Sequence, residues 1–415
     1  MTDYTTDYRC LICGETYDFD EVAYVCPKHG AVGTLDVRYD YAAMGNGVKR
    51  DEIRRSEWPS MWRYLPLLPV ADPALIPPLD IGWTPLYHAE RLATATGFDD
   101  LWLKDDSRNP TGSLKDRASA MAVVRARAMG YETIATASTG NAAAALAGVA
   151  ASVGMRHVIF VPRTAPEAKI AQLLVYGAEV NLVDGSYDQA FELCLSACEQ
   201  EGWYCRNTGY NPWMTEGKKT VAYEIAEQLG WEAPDAVVVS VGDGCIIGGV
   251  HKGFYDLLQL GWITRMPRLY GVQAAGSDAC TLAWEQGRHA DLPRIAAQTR
   301  ADSISADLPR DGFKALRAVR ESNGAFLRVS DEAILAAIPE LARQSGVFAE
   351  PAAAAAWAGA RLALAQGRVA RDERVVVLIT GSGLKDVAAA RASVDEKIEY
   401  DHSLMRKGKD DRSTD

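Results

Sequence analysis

One lysine in this chain stands where a nucleophile or base could work. It lies in the segment Asn109-Pro110-Thr111-Gly112-Ser113-Leu114-Lys115-Asp116-Arg117. Asn-Pro and Thr-Gly are turn signals, and a helical pattern follows them. A lysine in such a place is ordinarily a solvated surface residue. Here its small neighbours leave room for a cofactor to approach. A lysine desolvated beside a cationic group loses proton affinity and becomes a free amine, able to attack a carbonyl or accept a proton.

Three further segments sit where an apolar run gives way to a helix. Ser138-Thr139-Gly140-Asn141 follows Thr133–Ala137 and precedes an Ala-rich stretch. Ser and Thr there cap a helix, and the same hydroxyls and free amides suit a carboxylate. Gly242-Asp243-Gly244-Cys245-Ile246-Ile247-Gly248-Gly249 follows Ala236–Val241, with four glycines in eight residues. Such a turn lets backbone amides converge on an anion. It is neither a Walker loop nor G-x-G-x-x-G, which disfavours a nucleotide. Gly381-Ser382-Gly383-Leu384 follows Val375–Thr380, and the Thr380 hydroxyl suits a heterocycle nitrogen. Near the start of the chain, Cys10 and Cys13, twelve residues, then Cys26 and His29 have the spacing of a zinc ribbon. His29 stands where a cysteine is commoner, and the loop is short.

The elements that must position these groups alternate. Strands are expected at Leu101–Lys104, Thr133–Ala137, Val158–Pro162, Glu179–Val183, Ala236–Val241, Leu269–Gln273 and Val375–Thr380. Helices are expected at Asp116–Met129, Ala142–Val153, Pro166–Tyr176, Tyr187–Gln200, Gly217–Leu229, Gly248–Leu260, Asp331–Gln344 and Pro351–Ala365. Alternation of this kind predicts an α/β fold with parallel sheets covered on both faces. Ligands then sit beyond the carboxyl ends of strands. Trp58, Trp62, Leu65, Leu67 and Leu68, with several prolines, read as a short helix and an extended arm.

The chain has 415 residues and a formal net charge of −11. That balance disfavours nucleic acid as a partner. No apolar run reaches the ~20 residues of a membrane span, and Met1-Thr2-Asp3-Tyr4 is not a signal-peptide start. A cytoplasmic protein with no membrane partner is expected. Of eight cysteines, Cys194, Cys198, Cys205, Cys245 and Cys280 read as reduced core residues.

N-P-T-G-S-L-K-D-R resembles the lysine motif of pyridoxal-phosphate enzymes of fold type II. S-T-G-N at 138–141, G-D-G-C-I at 242–246 and T-G-S-G-L-K-D at 380–386 resemble three more motifs of that family, in the same order. Within it the likeness is to threonine synthases, through G-L-K-D and the Cys-rich start. The resemblance implies pyridoxal 5'-phosphate as cofactor, with Lys115 holding it as a Schiff base and acting as the base at the substrate α-carbon. It implies that Asn141 bonds the ring hydroxyl and Thr380 faces the pyridine nitrogen. Gly242, Asp243, Gly244, Cys245 and Ile246 would cradle the cofactor phosphate. Ser138, Thr139, Gly140 and Asn141 would take the substrate carboxylate. Cys10, Cys13, Cys26 and His29 would hold structural zinc.

Two parallel-sheet domains enclosing the cofactor are implied, together with a homodimer. The expected units are a ribbon at 1–40, an arm at 41–82, a large domain at 83–116 and 209–400, a small domain at 117–208 and a disordered tail at 401–415. The ribbon is expected as an appendage.

One position departs from the pattern. The family's N-P-x-R-x-E-G-x-K-T reads Asn211-Pro212-Trp213-Met214-Thr215-Glu216-Gly217-Lys218-Lys219-Thr220 here, so Met214 replaces an arginine suited to a substrate phosphate. Lys218, Lys219 or Arg163 could stand in, although Lys218 and Lys219 also read as exposed residues at a helix start. Three activities therefore stay open. One is threonine synthase, acting on O-phosphohomoserine. Another is β-elimination or β-replacement on serine-, phosphoserine- or diaminopropionate-type amino acids. The third is cofactor binding without turnover. Glu350-Pro351-Ala352 resembles another stretch near the family's active site, but Pro at a first helical turn explains it without function.

Overall fold

The computed structural model describes residues 2–138, 140–163, 165, 167–288 and 291–394. Thr139, the expected helix start at Pro166 and the expected tail at 401–415 lie outside the described residues.

The strands are β1 (Thr5–Cys10), β2 (Thr16–Tyr17), β3 (Leu35–Tyr39), β4 (Leu86–His88), β5 (Asp100–Asp105), β6 (Thr133–Ala137), β7 (Arg156–Pro162), β8 (Glu179–Val183), β9 (Tyr204–Cys205), β10 (Ala236–Ser240), β11 (Arg268–Ala274), β12 (Ala325–Val329) and β13 (Arg374–Ile379). They form three sheets, ordered β2-β1-β3, β12-β11-β10-β13-β5-β4 and β8-β7-β6-β9. The first is antiparallel. The six-stranded sheet is parallel except for the edge pair β4–β5. The four-stranded sheet is parallel throughout. The fold is thus the α/β arrangement of two parallel-type sheets that the alternation predicts.

Period-two patterning explains how both faces of the large sheet are buried. Val237, Val239, Val376 and Leu378 face one core, with Ile247, Val250 and Leu257 of the helix Cys245–Gln259. Val238, Val375, Val377 and Ile379 face the other, against Trp357 and the alanines of the helix Pro351–Ala365. The small sheet is covered likewise. Ala135, Val158 and Phe160 meet Phe191, Cys194 and Cys198 of the helix Tyr187–Glu201, while Ile159 and Val161 meet Ala143 and Ala147 of the helix Asn141–Ser152. Cys194, Cys198, Cys205, Cys245 and Cys280 are buried and free.

The N-terminal unit is not an appendage. Tyr8, Cys10, Cys26, Leu35, Val37 and Tyr39 belong to the same apolar cluster as Trp62, Trp213 and Phe254. Polar ties reinforce the contact. Thr34 Oγ1 donates to buried Asp311, and Asp36 pairs with Lys252 and Arg317.

The expected helix Gly217–Leu229 is two helices, Met214–Lys218 and Thr220–Gln228. Thr220 Oγ1 donates to the Gly217 carbonyl at 2.7 Å, a local bond that competes with the helical ladder. A Cβ at Gly217 would lie 2.0 Å from the Arg117 carbonyl oxygen, so glycine is what allows this helix to cross the one starting at Lys115.

Candidate active site

Four strand ends converge on one cavity. β5 ends at Asp105 and leads through a turn to the helix Lys115–Ala128; β6 leads to Ser138, β10 to Gly242, and β13 to Thr380. Lys115, Asn141, Gly242, Asp243, Gly244, Cys245, Ile246 and Thr380 all line this space of about 490 Å³. Gly140 and Asn141 also line an adjoining cavity of about 620 Å³ with Lys169, Gln172 and Lys385. Ser138 lines neither. Its Oγ accepts from the Gly140 amide at 3.1 Å and so shapes the loop before the helix Asn141–Ser152.

The lysine turn is held from two sides. The Leu114 amide donates to the Thr380 carbonyl at 2.9 Å, and the Ser382 amide donates to the Gly112 carbonyl at 3.0 Å. Thr111 donates its amide (2.7 Å) and its hydroxyl to the Asp116 carboxylate. Burial pushes Asp116 up to about 6 against those bonds. Immediately beyond, Arg117 is fully buried between Asp106 and Glu224. Burial lowers the Lys115 pKa, so the amine gives up its proton more easily than a solvated lysine.

The glycine turn is built to stay open. Gly244 has φ +93°, and a Cβ there would meet the Asp311 carbonyl oxygen at 2.5 Å. The Asp311 amide donates to the Asp243 carbonyl at 2.8 Å, and the Arg310 amide donates to the Asp243 carboxylate at 3.3 Å. Asp243 is thus turned toward the Arg310–Asp311 backbone, and burial raises its pKa. The helix Cys245–Gln259 starts at this point and directs its first amides at the cavity.

Reading the residues alone misses several groups. Glu350 is buried on the cavity wall, and both its oxygens accept from Asn141 Nδ2, at 2.8 and 3.0 Å. Burial raises its pKa. The structural account of Pro351 is correct as far as it goes, since Pro351 opens its helix, but it hides the residue before it. A Cβ on Gly381 would lie 2.2 Å from Glu350 Oε1, so glycine is needed beside this carboxyl. Ser240 and Ser303 also line the cavity. Ser240 is recognisable as the last residue of a strand leading to a glycine turn; nothing in the sequence marks Ser303. Asn207 fixes the end of β6 by accepting from the Ala137 amide at 2.7 Å.

The three cations that could stand in for an arginine at Met214 separate clearly. Lys218 and Lys219 are wholly buried, not exposed, because the helix Met214–Lys218 is enclosed by its neighbours on every side. Lys219 Nζ pairs with Glu216 (2.8 Å) and Asp256 (2.9 Å). Arg163 is exposed and pairs with Asp184.

The residues fit pyridoxal phosphate. A buried amine of lowered proton affinity, an unpartnered buried Ser240 hydroxyl and a glycine turn at a helix N-terminus share one cavity. Comparisons with known proteins agree. Residues 78–381 match the family described as pyridoxal-phosphate dependent enzyme. Threonine synthase of Methanocaldococcus jannaschii is 38% identical over 402 residues, 96% of this chain and 98% of that one. Threonine synthase of Methanosarcina acetivorans is 42% identical over 381 residues, 91% of this chain and 92% of the relative. Among solved structures, a threonine deaminase isoform from Solanum lycopersicum superposes with a TM-score of 0.65 at 22% identity, covering 84% of this chain and 94% of its own. Diaminopropionate ammonia lyase from Escherichia coli gives 0.64 at 21%, covering 75% and 87%. At such identities these two speak for the fold alone. A family match across most of the chain and relatives aligned almost end to end lead to one assignment: the chain belongs to the pyridoxal-phosphate-dependent enzymes of fold type II, as a threonine synthase-like lyase or synthase.

Proposed function

We propose that this protein converts O-phosphohomoserine and water into threonine and inorganic phosphate. The observation that carries the reading is the near end-to-end match, at 38 to 42% identity, to two threonine synthases. Lys115 would hold the cofactor through Nζ. The amides from Gly242 to Ile246 would hold its phosphate, and Asn141 and Thr380 would meet its ring. Pyridoxal phosphate, when bound, supplies the electron sink that makes protons on the substrate carbon chain removable.

The chain does the rest. Lys115 would take and return protons on the substrate. The Ser138–Asn141 segment, at a helix N-terminus, binds the substrate carboxylate. In the net change the γ-carbon–oxygen bond to phosphate breaks, water adds a hydroxyl at the β-carbon, and protons return to the α- and γ-carbons.

An assay panel tests the reading. Equal amounts of phosphate and threonine are expected from O-phosphohomoserine, with no keto acid from serine, O-phosphoserine or diaminopropionate. Keto acid and ammonia from one of those, with phosphohomoserine inert, would move the enzyme to the β-elimination group.

The N-terminal cluster supports structural zinc as a second component. Each of Cys10, Cys13, Cys26 and His29 offers a ligand atom, and these atoms lie within 4.8 Å of one another. Cys26 Sγ is 3.3 Å from His29 Nδ1 and 4.0 Å from Cys13 Sγ. Three thiolates and an imidazole make a closed tetrahedral set. Metal analysis of the purified protein should find zinc at about one per chain, and Cys10→Ser should lose it. Absence of zinc from the parent would refute this site.

The division into domains fits the same reading. The four-stranded sheet draws its strands from between Thr133 and Cys205, inside the 117–208 unit. Among the described residues, no helix is long and apolar enough to cross a membrane. A cytoplasmic homodimer completes the proposal, and sedimentation would test its assembly.

A further inference from the structure

We propose that Lys218 and Arg206 form a buried site for a phosphate monoester beside Lys115. The inference rests on the reading of the chain as an enzyme that handles phosphorylated ligands.

Both side chains are wholly buried. Among the described residues, Lys218 Nζ has no partner. Arg206 meets only hydroxyls, Ser119 Oγ from Nε at 3.2 Å and Thr208 Oγ1 from Nη1 at 2.6 Å, and its Nη2 has no partner. No carboxylate among the described residues pairs with either. Their neighbours differ in this respect. Lys219 has Glu216 and Asp256, and Lys314 has Thr215 Oγ1 at 2.8 Å and Asp311 at 3.5 Å.

The two cations share one electrostatic environment with Lys115. Burial pushes Lys218 down to about 8; the charges of Lys115 and Arg206 add to that effect, and those of Cys245 and Asp311 offset part of it. Burial pushes Arg206 down to about 10. Buried charges without counter-ions are unfavourable, so a place that gathers them is built for an anion that arrives later.

The location fits an anion. A Cβ on Gly249 would lie 2.7 Å from Lys218 Cβ, so the lysine packs against the first turns of the helix Cys245–Gln259. The N-terminus of that helix floors the cavity. Neither side chain is among the residues lining the cavity, but both lie against elements that bound it, Lys218 on this helix and Arg206 on Ser119, one turn after Lys115, so unpaired cations flank a positive helix end. A phosphate monoester, doubly charged and rich in acceptors, satisfies a guanidinium and an ammonium together. The charge absent at Met214 is thus supplied by Lys218 and Arg206, which approach from other backbone positions.

Two phosphates meet in the proposed reaction, the cofactor's and the substrate's. Titrations of Lys218→Gln, Lys218→Met and Arg206→Gln separate them. Folding of each variant is checked first by circular dichroism. Lys218→Met keeps the length and apolar stem, so it serves if an amide is not tolerated. One arm titrates cofactor-free protein with pyridoxal phosphate and with pyridoxal, reading visible absorbance. The other titrates holoenzyme with inorganic phosphate by calorimetry.

The expected result is at least a tenfold loss in one arm. Loss for pyridoxal phosphate with pyridoxal unchanged assigns the site to the cofactor's phosphate. Unchanged cofactor affinity with weakened inorganic phosphate assigns it to the substrate's. Unchanged affinities in both arms for the folded variants overturn the proposal. Phosphate binding is read without turnover. A parent enzyme that binds phosphate here but makes no threonine refutes the proposed reaction and leaves this site standing.

Discussion

Lys115→Ala is expected to abolish the cofactor's Schiff-base absorbance and to reduce turnover below detection. Loss of the proton-transfer role alone accounts for about 10²–10⁴-fold, and loss of the covalent anchor adds to it. The fold should survive. Lys115 starts its helix but does not hold it; the adjoining backbone bonds from Leu114 and Ser382 and the contacts of Asp116 and Arg117 do. Removing a buried amine whose pKa is already lowered takes away a desolvation cost. The thermal midpoint of the cofactor-free variant should therefore equal or exceed that of the cofactor-free parent. Spectroscopy and calorimetry on the same sample check both halves. A variant that keeps the absorbance and turns over substrate would remove Lys115 from the centre of the site.

Arg117→Ala should have the opposite signature. Arg117 donates to Asp106 at 2.6 and 2.8 Å, to both oxygens of Glu224, and to Thr220 Oγ1 at 2.9 Å, all of them buried. Lys104 Nζ also reaches Glu224, at 2.6 Å. Truncation leaves Asp106 without its cation and Glu224 with only one. Breaking a buried network in this way costs about 3–5 kcal/mol. Urea denaturation should show that loss, and Arg117→Lys should recover only part of it, because an ammonium cannot reproduce the bidentate fork.

The pH dependence has a definite sign. Burial raises the Glu224 pKa, but Arg117 and Lys104 outweigh it and bring the value from 4.5 to about 2. A carboxylate depressed in the folded state contributes stability above its unfolded pKa and loses it as pH falls through the folded one. The gap between parent and Arg117→Ala should be full above about pH 5 and should narrow toward pH 2. A gap independent of pH would argue that packing, not charge, holds this helix start.

Much of the site is legible in the amino-acid order because its chemistry is local. Lys115 in its turn, Ser138 to Asn141, Gly242 to Ile246 and Thr380 each sit at a junction where an apolar run meets a helix. In parallel α/β folds such junctions gather at one edge of the sheets. The strands β6 and β8 match their expected bounds: β6 is a short, wholly buried run between turns, and β8, largely exposed, takes the edge place beside β7. β12 has no counterpart among the expected strands. Ala325–Val329 carries Arg328 and follows Gly324, and pairing with β11 is what makes it a strand.

The amino-acid order by itself determined the alternating architecture, the lysine turn, the glycine turn and the Cys/His set, because each depends on residue type and short spacing. Only the tertiary structure decided which charges are paired. Lys218 and Lys219 are adjacent and identical in type, yet among the described residues Lys219 meets two carboxylates and Lys218 meets none. Glu350 reads as the residue before a helix-starting proline, yet its carboxyl is bonded to Asn141 inside the cavity. The N-terminal unit reads as detachable, yet it completes the main core. Pairing and burial are set by residues far apart in the chain, such as Asn141 with Glu350 and Thr34 with Asp311, and no local pattern encodes those distances.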